Sequence, residues 1–137
     1  MSSPYTQVVR GQAAAVAAGS DLTTIIGDVP FAGAVSAVTF TPNAAITGNS
    51  TESRTLTLVN KGQAGLGTTV IATLAFIATV NGVAYDEKAF TLSVVANALN
   101  VAAEDVLALV STHVGSTGLA DPGGLVEVTI ARGEASA

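Results

Sequence analysis

The stretch GAVSAVTFT (33–41) decides the fold class. Its side chains alternate with period 2, so Val35, Ala37 and Thr39 share one face and Ser36, Val38 and Phe40 the other. Val38 and Phe40 mark the core side. The same alternation returns in RTLTLVN (54–60), where Leu56 and Leu58 fall together, and in TTVIATLAFI (68–77), DVLALVSTHV (105–114) and LVEVTIA (125–131). Gly, Pro, Asn and Asp clusters separate the runs. Short β-branched segments punctuated in this way predict an all-β chain closed as a sandwich or barrel.

Working outward, Leu22 to Val29 is a further strand, interrupted at Gly27-Asp28, and Pro30 forces a turn after Val29. TPNAAITGNSTES (41–53), NKGQAGLG (60–67) and GSTGLADPGG (115–124) read as loops. Asn81-Gly82 suits a tight hairpin turn, with Val83 to Tyr85 pairing back across it. Phe90 and Leu92 belong to a short strand. Helix is the rival reading for 98–110, but the VSTHV that follows favours a strand, with Leu107, Leu109 and Ser111 on one face. Strand 68–77 is apolar on both faces in its second half, which predicts coverage by the facing sheet on one side and a neighbouring subunit on the other. The Ala-rich start has too few large side chains to bury much surface. Residues 1–20 are therefore expected to form an extended arm that orders on a partner, with an added edge strand as the alternative. Residues 21–137 form the sandwich domain.

The chain has 137 residues, of which 49% are hydrophobic and 11% charged. A soluble domain usually carries about 25% charged residues, so apolar surface is expected to be hidden between subunits. The net charge of −5 and five scattered basic residues disfavour nucleic acid as a partner. Val70 to Val80 is too short and too rich in Thr to span a membrane, and no membrane partner is expected. With no Cys, disulfides, thiolate catalysis and zinc–thiolate sites are excluded. No secretion signal is legible at the start.

Few residues invite chemistry. Gly62 to Thr69 has the glycine spacing of a phosphate loop, but Thr68 stands where the lysine belongs. Glycine serving positive φ in a turn is the better reading. His113 is the single imidazole, read as hydrogen-bonded near a strand end or at a subunit contact. Asp86-Glu87 and Glu104-Asp105 read as charge that solvates the rim, and Asp121 before Pro122-Gly123-Gly124 as a loop signal. Asn49-Ser50-Thr51 matches a glycosylation sequon in a loop. No cofactor, metal or catalytic set is expected.

Three regions carry a resemblance: VPFAGAVSAVTFTPNAAITG (29–48), TLTLVNKGQAGLGTTVIATLAF (55–76), and LNVAAEDVLALVSTHV (99–114) with PGGLVEVTIAR (122–132). Together they resemble the small jelly-roll modules of tailed-bacteriophage structural proteins, such as capsid decoration (cement) proteins and head fibres. The resemblance implies a jelly-roll-like antiparallel sandwich of about eight strands. It also implies a homotrimer, not an enzyme, that binds the major capsid protein on the outer surface of the virion. In that setting Tyr5, Val8, Val9 and Arg10 of the arm are the expected capsid-docking residues. A head-fibre or tail-tip module that binds a host glycan or protein is the alternative.

Overall fold

In the computed structural model, which describes residues 6–132, the chain is all-β. Seven long strands, β1 (Thr6–Ala13), β2 (Leu22–Asp28), β3 (Gly33–Pro42), β4 (Ser53–Gly62), β5 (Thr69–Phe76), β9 (Val106–Val114) and β10 (Gly124–Arg132), are joined by three of two residues: β6 (Lys88–Ala89), β7 (Thr91–Leu92) and β8 (Asn100–Val101). They make two antiparallel sheets. The first runs β1-β10-β3-β6, with β8 also on β3; the second runs β2-β9-β4-β5-β7. The sandwich expected from the alternation is thus present, and 98–110 is not helical.

The core lies between the sheets. Val35, Val38, Phe40, Val126, Val128 and Ile130 come from the first sheet, and Leu56, Leu58, Ile71, Phe76, Leu107 and Leu109 from the second; all are essentially inaccessible. Phe40 meets Phe76 edge-on across the gap, with ring centroids 6.4 Å apart and planes at 61°. Val35 corrects the simple alternation, because it is buried beside Val38 and Phe40. The pairing of β3 with β10 shifts register between Thr129 and Ile130, so Ser36 is an extra residue and the parity changes there.

Both open sides of the sandwich are closed by particular residues. On one side β1 and β2 come together at glycine: a Cβ on Gly11 would stand 2.5 Å from the Ile26 carbonyl oxygen, and one on Gly27 2.7 Å from Val9 Cγ1. On the other side the chain laces from sheet to sheet. β6 pairs with β3, Phe90 is buried and donates its N–H to the Val38 carbonyl, and β7 pairs with β5 before β8 returns to β3.

The expected arm is different over its described part. Residues 6–13 are β1, paired with β10 along all eight residues from Thr6↔Ala131 to Ala13↔Gly124. The hydrogen-bonding demand of β10's free edge outweighs the weak apolar content of this segment. The hairpin expected at Asn81-Gly82 is absent. The turn falls at Ile77–Val80, while Gly82 exchanges two backbone hydrogen bonds with Ile46 and Asn81 Oδ1 accepts the Gly48 N–H at 2.8 Å. Val83 closes a turn with Asp86 instead of pairing back. In the 60–67 loop, Gly62 and Gly65 do adopt positive φ, 71° and 80°.

Candidate functional site: a knit loop end and an uncharged sheet face

Four connections, 14–21, 43–52, 77–87 and 115–123, gather at one end of the sandwich. Arg54, at the start of β4, ties two of them, 14–21 and 115–123, from beneath. It shares the inward parity of Leu56 and Leu58 and is fully buried. Nε donates to the Leu119 carbonyl at 2.6 Å, Nη1 to the Ser20 carbonyl at 3.0 Å and to Ser111 Oγ at 3.1 Å, and Nη2 to the Ala17 carbonyl at 3.2 Å. Ser111 passes the contact on, donating to Asp121 Oδ2 at 2.7 Å, and Asp121 Oδ1 accepts the Gly123 N–H at 2.8 Å. Burial lowers the Arg54 pKa, and the nearby Asp121 and Asp21 carboxylates oppose that.

Two carboxylates brace the rim. Glu52 Oε1 accepts the N–H groups of Thr117 and Gly118, each at 2.7 Å; these bonds, from Gly118 first, hold its pKa below the ordinary range. Asp21 Oδ1 accepts the His113 N–H at 2.9 Å and lies 2.7 Å from His113 Nδ1, which lowers the Asp21 pKa. At the opposite end Asp105 is buried, not solvating the rim as the sequence suggested. Burial alone would raise its pKa, but the Ala102 N–H at 2.8 Å and the Asn60 and Gln63 amides outweigh it, and the net shift is downward.

Chemically, these groups are spent on one another. Ser111 answers to Arg54 and Asp121, while His113 answers to Asp21. Among the described residues no three His, Asp or Glu side chains are placed to share a metal ion. The sequon residue Asn49 is exposed, and its Oδ1 accepts the N–H groups of Thr51 and Glu52 within the loop.

The other distinctive surface is the outer face of the second sheet. Its cross-strand register sets Thr23, Val110, Thr57, Thr73 and Thr91 in one row, from β2 to β7. A second row, Ile25, Ala108, Val59 and Val70, lies toward the opposite end, and a third, Thr112, Thr55 and Ala75, toward the loops. Ile25 is 71% exposed and Val70 42%, whereas Ala108 and Val59 sit low between them. None of these twelve positions is charged; Asp28 stands at the margin, opposite Val106. The outer face of the first sheet differs, since Arg10 and Glu127 form an ion pair there at 3.0 Å.

Of the expected docking residues, Tyr5 lies outside the described residues. Val8, Val9 and Arg10 lie in β1: Val9 packs on the core, Val8 points outward opposite Thr129, and Arg10 is held by Glu127. They form part of a sheet, not a free arm. Of the two loops expected to face solvent, 43–53 is mostly exposed, but 115–124 is exposed only at 115–117 and 120, with Gly118, Asp121, Gly123 and Gly124 buried, and the two loops are bonded to each other through Glu52. Arg54 and the sheet face were missed as a network and a surface, although period 2 places both. Comparison with protein-family models, curated proteins and solved structures finds no match.

Proposed function

We propose that this protein is a structural component of a tailed-phage virion, seated as a homotrimer on the outer surface of the capsid with the major capsid protein as its partner. The observation that carries the reading is the build of the molecule. A sandwich closed on both sides presents an uncharged sheet face, and its polar side chains are committed to holding loops. Such a body gains its effect by contact, repeated over many copies on a shell. The strand order supports the jelly-roll form of the proposal, because consecutive long strands β1 to β4 alternate between the sheets and β9 and β10 return between them.

With β1 committed to the sheet, capsid docking through the amino-terminal segment falls to residues 1–5, Tyr5 among them. Co-sedimentation of the purified chain with empty heads of its phage tests the role. Saturable binding at a fixed ratio to the capsid protein supports it, and a chain left in the supernatant at micromolar concentration rejects it. The exposed Tyr85 beside Val83 in the 77–87 loop, 80% and 60% accessible, favours the second reading of a host-binding module. Retention on host cells or a glycan surface, lost on Tyr85→Ala, would mark that reading.

A further inference from the structure

We infer that the outer face of the second sheet is the contact between copies of this chain. The inference rests on the reading above that the protein self-assembles, and it names the surface. Three observations lead to it. First, the face is neutral. A chain of net charge −5 repels its own copies through any surface that carries a share of its carboxylates, and these three rows carry none. Solvent-facing sheet positions normally hold Lys and Glu as protection against association, and here Thr, Val, Ala and Ile stand instead.

Second, the face is extensive. Four strands at about 4.8 Å spacing and about nine residues at about 3.3 Å rise give a projected area of about 570 Å². That is about seven-tenths of the roughly 800 Å² per partner of a stable association. Beside Thr73 and Thr91 the face borders a groove of about 420 Å³ between β5 and β6–β7, lined by Leu74, Ala75, Ile77, Val80 and Ala89 together with Lys88, where the uncharged surface ends. Third, it has relief that suits a solid partner. Ile25 and Val70 stand out as apolar knobs on either side of the tightly packed Ala108 and Val59, so they are the side chains a second copy would cover. The threonine row offers hydroxyls that act as donor or acceptor, and so pair with their own kind.

The test is sedimentation velocity of the full chain and of Thr57→Lys and Thr73→Glu made singly, with Thr129→Lys on the first sheet's outer face as control. The expected result is an assembly for the wild type and the control. Each second-sheet variant should weaken association about 100-fold, because a charge buried at the contact has no partner. Thr57→Val should retain assembly, and β-sheet circular dichroism and melting temperature should show all variants folded. A wild-type monomer, or folded second-sheet variants that keep the wild-type mass, overturns the inference. A monomer that still co-sediments with phage heads overturns the self-contact and leaves the virion reading standing. An assembly broken by Thr57→Lys that ignores the heads does the reverse.

Discussion

Arg54 shows how one side chain organises an end of this molecule. A cation on the inward parity of a core strand is costly unless its charge and all its donors are answered. Three backbone carbonyls, a serine hydroxyl and the nearby Asp121 carboxylate answer them. Arg54→Leu leaves the Ala17, Ser20 and Leu119 carbonyls without this donor and Asp121 without its countercharge. We expect a loss of about 3 kcal/mol or more, read from urea unfolding. Arg54→Lys should recover only part of it, since one ammonium cannot reach all three carbonyls and the serine at once. Gly11 is the second such position. Its missing side chain lets β1 lie against the Ile26 backbone, so Gly11→Val should cost at least about 2 kcal/mol in the same assay.

Among the elements, β1 matters most for the functional reading. Eight residues of backbone pairing and the buried Ala13 bind it to β10. Deleting residues 1–18 should therefore strip β10 of one of its two neighbours and abolish cooperative thermal unfolding, instead of trimming a dispensable arm. Deleting residues 1–5 keeps β1 whole and should leave the melting temperature unchanged. Under the proposed function that shorter deletion lowers binding to phage heads; unchanged head binding would remove Tyr5 from the docking set. The laced segment 88–101 works by the same logic. Its two-residue strands are too short to stand alone, and Phe90 anchors them by filling the side of the core.

At the level of the whole molecule, acid is the informative condition. Asp21, Glu52 and Asp105 all have pKa values below their ordinary 3.8, 4.5 and 3.8 in the folded chain. A lowered carboxylate favours the folded state fully above the unfolded value, and the gain disappears as pH falls through the folded one. The melting temperature should accordingly hold from neutrality down to about pH 5 and fall below about pH 4. Glu52→Gln should flatten part of that decline. An unchanged acid slope in Glu52→Gln would mean that the loop bonds at Thr117 and Gly118 do not govern it.

Alternation alone determined the class of fold, six of the seven long strands and most core positions, because a pleated strand half-buried in a sandwich writes its burial into every second residue. The same rule put Arg54 beside Leu56 and Ser111 beside Leu109, so the buried network was legible in parity though not in composition. Pairing across distance decided the rest. β1 carries too little apolar surface to declare itself and becomes a strand only because β10 offers an edge. Asn81-Gly82 follows no hairpin because Ile46, far away in sequence, takes its hydrogen bonds. The uncharged face exists only once β2, β9, β4, β5 and β7 lie side by side, since register, and not any single segment, sets threonine next to threonine.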